Sequence, residues 1–204
     1  MKQWNNVTMV DMDAKLIMQL RQMTGAGVLD AQRALAESNG NVDAAAEALR
    51  KKGQAKAASR TDRTTREGMV GHYIHATGKV GALVEVACET DFVARSEEFR
   101  SLVHDLAMHV TASSPLYLAP EDVPPEVLAK EREIAGAEAA GSGKPANVIE
   151  KIVEGKLAKY YADTCLLKQP FIKDEDVTVA ERIQQVIAKT GENIQVRRFC
   201  RFAL

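Results

Sequence analysis

Aromatic side chains make up only 5% of this 204-residue chain, and its three cysteines, Cys88, Cys165 and Cys200, are widely spaced with no Cys-x-x-Cys pair. That spacing argues against both a secreted disulfide framework and a zinc knuckle, so a reducing compartment is the simplest reading. Charge of one sign is missing too: 27 Lys and Arg stand against 28 Asp and Glu, for a net charge of -1. Binding nucleic acid by counterion release needs a basic face, which leaves only a local basic patch able to do it. No apolar run approaches the ~20 residues that span a bilayer. The greasiest stretch, residues 81–88, carries Glu85 in its middle. The opening Met1-Lys2-Gln3-Trp4-Asn5-Asn6 does not form the apolar stretch of a secretion signal, and a cytoplasmic location with no membrane role is expected.

Enzyme signatures are absent as well. A phosphate-binding G-x-x-x-x-G-K-[ST] loop has one near match, but Glu138 stands at the first glycine and Pro145 at the hydroxyl position. His72 and His75 are three apart on an expected strand, so they point to opposite faces and cannot chelate one metal directly. His104 and His109 are separated by about 140° around a helix. Nucleophile-elbow, H-E-x-x-H and dinucleotide-binding patterns do not occur, and no cysteine sits in a catalytic signature. No metal, no cofactor and no catalytic residue is expected.

What is present reads as a soluble globular protein, with 46% hydrophobic and 27% charged residues and enough chain for one sizeable domain plus a small module. Leu16, Ile17, Leu20 and Met23 recur at helical spacing and stop at Thr24-Gly25-Ala26-Gly27. A second helix over 28–37 carries Val28, Ala31 and Leu35 on one face and ends in Ser38-Asn39-Gly40. Asn41 can cap a third, which buries Val42, Ala45, Ala46 and Leu49 before Gly53 ends it. The core this makes is marginal alone, as befits a small tethered recognition module, and the pattern resembles a ubiquitin-associated-type three-helix fold. The basic run over 51–66 suggests a linker or an exposed helix extension. The resulting division is an extension over 1–12, a module with its linker over 13–62, and a core over 63–204.

In that core, segments 69–76 and 79–89 joined by Thr77-Gly78 read as a β-hairpin, its second strand central. A helix starts near Ser96-Glu97-Glu98 and buries Phe99, Leu102, Val103, Leu106 and Val110. Beyond the proline-rich 115–125 connection, residues 126–140 and 146–163 read as a helical hairpin. A last helix over 177–189 precedes a strand over 194–202 with Ile194, Val196, Cys200 and Phe202 on one face, interrupted by Arg198. The expected fold class is α+β, a small antiparallel sheet packed with helices.

Glu89-Thr90-Asp91-Phe92-Val93-Ala94 lies between a buried strand and a helix, where connecting backbone must reach the surface. An arbitrary Phe in so short a connection most often tucks under the next helix, and the residues alone do not overturn that. Resemblance adds more. Leu20-Arg21, Thr24-Gly25-Ala26-Gly27 with Asp30, and above all Thr90-Asp91-Phe92-Val93-Ala94 resemble the elongation factor Ts family. Ala107-Met108-His109-Val110, Pro120-Glu121-Asp122-Val123, Ser142-Gly143-Lys144-Pro145, Val153-Glu154-Gly155-Lys156 and Gln169-Pro170-Phe171 resemble it too, in the family's order, from about Ala14 onward.

The resemblance implies a guanine-nucleotide exchange factor whose partner is elongation factor Tu. It implies that Asp91 and Phe92 intrude beside the partner's magnesium site with Thr90 and Val93 framing the loop, and that Leu20, Arg21, Val28, Leu29 and His109 contribute to the partner interface. Val28 and Leu29 depart from the methionines often found there, although branched aliphatics keep the surface apolar. Core packing is the alternative for His109. Longer members carry a second core subdomain that this chain lacks, so a homodimer is expected, with Phe199 and Phe202 on the last strand at a twofold interface and Cys200 either meeting its mate or a buried free thiol. Three rivals stand beside this reading. One is a nucleic-acid adaptor using residues 51–66, which lack interleaved aromatics. The second is a ubiquitin-associated-type adaptor resting on the first module alone, and the third is a small enzyme with no placeable constellation.

Overall fold

The computed structural model describes residues 14–141 and 145–204; the extension expected over residues 1–12 and the turn residues Ser142, Gly143 and Lys144 lie outside them. Helices α1 (Ala14–Thr24), α2 (Val28–Glu37) and α3 (Val42–Ala58) come first. They enclose Leu20, Ala31, Ala34, Leu35 and Ala45, the small alanines letting the backbones approach. Each boundary has a local cause. The Thr24 hydroxyl donates to the Leu20 carbonyl at 2.7 Å and accepts from the Ala26 amide at 3.3 Å. The next corner places Asn39 and Gly40 at positive φ, after which the Asn41 side chain accepts from the Ala44 amide at 3.0 Å to cap α3.

Gly53 does not end the third helix, which runs on for 17 residues in all. A glycine costs a helix interior ~1 kcal/mol relative to alanine, but here it lies against α8 (Val179–Thr190), where an added Cβ would sit 3.3 Å from that of Ala188. One turn on, Ala57 is 1% exposed and belongs to the main core. The basic run is therefore largely a helix extension that docks the module on the core.

That core is a three-stranded antiparallel sheet in the order β1 (Glu67–Ile74), β2 (Val80–Cys88), β5 (Ile194–Ala203), with β2 central as its apolar run requires. Helix α5 (Glu97–Ser113) covers one face, and Phe99, Leu102, Val103, Leu106 and Val110 are all fully buried. α8 flanks it with Val179, Ile183, Val186 and Ile187, its start fixed by a capping box between Thr178 and Glu181. Helices α6 (Pro125–Ala140) and α7 (Ala146–Thr164) form the expected hairpin. The chain then makes a short β3 (Pro170–Phe171) and β4 (Asp174–Thr178) pair before α8, so the helix expected from 177 starts two residues later, behind an unforeseen strand.

The single face expected along the last strand is broken by a bulge. Val86 pairs with Val196 and Glu85 with Arg198, leaving Arg197 as the extra residue, and a one-residue slip exchanges the two faces of everything beyond it. Ile194 and Val196 are buried, whereas Phe199 takes over the inward side against the core and Phe202 is turned outward. Cys200 is likewise exposed rather than buried.

Close approach of α5 to the sheet rests on Gly71, where an added Cβ would lie 2.3 Å from Val103 Cγ1 and 3.1 Å from the Val103 carbonyl oxygen. Val103 is β-branched and its χ1 is stiff. Gly71→Ala should therefore lower stability by ~1–3 kcal/mol in urea denaturation, while Gly155→Ala, in the open on α7, should raise it by ~0.5–1 kcal/mol. Equal stability of Gly71→Ala and the native chain would contradict this packing.

Candidate functional site

Two caps turn the chain out of the sheet. β2 ends at Cys88, and Thr90, extended at φ -127°, opens a five-residue helix, α4 (Asp91–Arg95), accepting from the Val93 amide at 3.5 Å. Ser96 closes α4 and opens α5: its hydroxyl donates to the Val93 carbonyl at 2.7 Å and accepts from the Phe99 amide at 3.3 Å. Val93 and Ala94 pack against the main core. Phe92, on the other side of so short a helix, is left 83% exposed, so the usual burial of a connecting Phe does not happen here. Asp91 is partly exposed and paired with Arg95 at 3.0 Å.

A further apolar surface lies on the three-helix module, where Met18, Met23, Val28 and Leu29 are exposed. Met23 reads from spacing as core but is exposed at the end of α1, and Met18 lies on the face opposite Leu16 and Leu20. Arg21 is exposed, its Nε donating to the Ala26 carbonyl at 3.3 Å, so it ties the helix to the loop that follows.

Two residues expected at the partner interface are buried in the free chain. Leu20 is 0% exposed and sits at the centre of the three-helix core, because it shares its helix face with Leu16 and Ile17; it holds the helices together and presents nothing outward. His109 is also 0% exposed, falling on the same stripe of α5 as Leu102 and Leu106. Its ring stacks on Phe171 at a centroid distance of 6.1 Å. Nδ1 accepts from the Ile172 amide at 3.2 Å, so the proton resides on Nε2, which donates to Gln169 Oε1 at 3.0 Å. Gln169 in turn donates to the Asp163 carbonyl at 2.9 Å.

The cysteines are free in the chain. Burial, with the Glu192 carboxylate nearby, pushes the Cys88 thiol up to about 11. Among the described residues there is no group of three or more His, Cys, Asp or Glu side chains able to hold a metal ion, and no helix is long and apolar enough to cross a membrane. Glu192, which reaches Thr90 across 102 residues of sequence, is invisible to local pattern reading because only the tertiary fold brings the two together.

These features define a class: an α+β protein with a three-helix module at its amino end and a bare aromatic on a capped strand-to-helix turn. The family model described as Elongation factor TS matches residues 8–185. Elongation factor Ts of Moorella thermoacetica is 57% identical over 183 residues, covering 90% of each chain. That of Carboxydothermus hydrogenoformans is 52% identical over 191 residues, 94% of this chain and 88% of the relative. The Fervidobacterium nodosum protein is 51% identical over 195 residues, 96% and 99% respectively. The chain belongs to the elongation factor Ts family.

Burial holds His109 neutral, its pKa lowered below the usual value. The unfolded chain therefore binds a proton more readily than the folded one, and this contribution to stability is present above ~6.5 and is lost as pH falls through the folded value. Thermal unfolding followed from pH 7.5 to 5.5 should show a steeper loss for the native chain than for His109→Gln, and parallel profiles would remove His109 as the cause.

Proposed function

We propose that this chain is a guanine-nucleotide exchange factor for elongation factor Tu in translation elongation, promoting GDP release by disturbing the magnesium and phosphate site. The observation that carries this reading is Phe92, 83% exposed on a turn fastened at both ends. Exposing a large aromatic has no stabilising return within the chain; what it offers is an anchor for a partner. Asp91 stands beside it, Thr90 and Val93 frame it from below, and the apolar surface with Val28 and Leu29, flanked by Arg21, supplies a second contact on the three-helix module. The factor has no cofactor of its own and works in the cytoplasm, with no direct nucleic-acid or membrane partner.

Exchange by this route is negative coupling. A factor that binds the empty GTPase more tightly than the GDP-bound form weakens GDP binding by the same ratio, each tenfold corresponding to ~1.4 kcal/mol. A buried aromatic anchor is worth ~2–4 kcal/mol at an interface hot spot, so Phe92 alone can account for a large part of a hundredfold effect. The chain itself need do no bond chemistry.

Release of fluorescent GDP from elongation factor Tu, chased with unlabelled GDP, should be accelerated by the native chain and at least ~10-fold less by Phe92→Ala. The variant's melting temperature should not change, since the ring has almost no contacts to lose. Undiminished acceleration would move the mechanism away from this turn.

The reading includes a homodimer. Val70, Ile74, Leu83 and Phe202 are exposed, and the strand register places them on the sheet face opposite α5, with Cys200 directly opposite Leu83 on the edge strand. Phe199, expected at the same interface, packs inward instead, so Phe202 is the aromatic available for a second copy. Sedimentation at micromolar concentration should give a dimer that Phe202→Asp converts to monomer; a monomeric native chain would contradict it.

A further inference from the structure

The turn that joins α8 to β5 gathers three distant parts of the chain. Gly191, at φ 82°, terminates α8 in the left-handed conformation that favours glycine, and the two residues after it each reach into another segment. The Glu192 carboxylate accepts from the Thr90 amide at 3.0 Å through one oxygen and from the Thr90 hydroxyl at 2.6 Å through the other. Asn193, 1% exposed, donates from its backbone amide to Glu89 Oε1 at 2.6 Å and from its side chain to the carbonyls of Thr61 and Arg63 at 3.1 and 2.8 Å.

Thr90 is thereby saturated. Its hydroxyl donates to Glu192 and accepts from Val93, and its carbonyl accepts from the Ala94 amide at 3.2 Å and from the Cys88 thiol at 3.2 Å. The Thr90 hydroxyl is thus the cap of α4 and the handle by which Glu192 holds it. A neutral cap alone orients a five-residue helix weakly, whereas two hydrogen bonds to a single carboxylate fix both the position and the rotamer of the capping residue.

Resting on the exchange reading above, we propose that Glu192 is a positioning residue for the Asp91–Phe92 turn: its two-point grip on Thr90 holds Phe92 in the outward pose that reaches the partner's nucleotide site. Glu192 touches neither partner nor nucleotide in this role. Its loss lets the turn sample poses in which Phe92 no longer projects, so it lowers the rate of release at saturation rather than the affinity contributed by the three-helix module.

Two readouts on the full chain test this, with Glu192→Ala and the isosteric Glu192→Gln. In hydrogen exchange, the Thr90 and Val93 amides of Glu192→Ala should exchange about tenfold faster or more, the loss expected of charge-assisted hydrogen bonds, and those of Glu192→Gln should lie between. In GDP release from elongation factor Tu, the maximal rate with Glu192→Ala should fall about tenfold with half-saturation changed less than about twofold, and that with Glu192→Gln should lie between. Unchanged amide exchange overturns the proposal whatever the release data show. A normal maximal rate in a loosened turn overturns its functional half. A native chain that fails to accelerate release overturns the exchange reading instead, and hydrogen exchange then decides on the grip by itself.

Discussion

Burial of α5 against the sheet is the constraint from which the other features follow. Phe99, Leu102, Val103, Leu106 and Val110 are removed from water along one stripe, each worth ~1.5–3 kcal/mol as an upper estimate, which is large beside a typical net stability of ~5–15 kcal/mol. The helix sits close only because Gly71 leaves room for Val103. Once β2 and α5 are both committed to the core, the eight residues between Cys88 and α5 have to leave the sheet, turn at the surface and come back. Val93 and Ala94 take the inward positions of that excursion, which leaves the outward side to Phe92.

The same economy of connection ties the module to the site. α3 extends past its own three-helix core to lay Ala57 in the main one, and the segment after it is held by Asn193 within one residue of the carboxylate that grips Thr90. The apolar surface of α1 and α2 and the aromatic on α4 are therefore carried on parts of one connected frame. That arrangement suits a protein that must meet a partner at two places in a fixed relation, because little ordering is left to be done on binding.

Much of this was legible in the sequence wherever the determinant was local. The five residues expected to be buried along α5 are all buried there, Thr77-Gly78 falls in the hairpin turn, and Ser96 and Asn41 are caps as expected, since periodicity and capping are properties of neighbours. What failed depended on remote partners. Gly53 continues a helix because α8 lies against it; the bulge at Arg197 turns Cys200 and Phe202 over because the central strand sets the register. Leu20 and His109, assigned to an interface by resemblance, are interior because a residue's place in a motif does not say which way it faces. Phe92 was found by resemblance, and its exposure could not have been inferred from composition or spacing.

The central claim is that the turn bearing Phe92 releases GDP by displacing the partner's magnesium. It is tested most directly by measuring the acceleration of GDP release from elongation factor Tu at saturating factor, first in millimolar magnesium and then with the metal chelated by EDTA. If the turn acts through the metal, the fold-acceleration should be much smaller once the metal is already gone, and Phe92→Ala should differ little from the native chain under chelation. An equal fold-acceleration with and without magnesium would contradict the account and locate the coupling at the base or phosphate contacts instead.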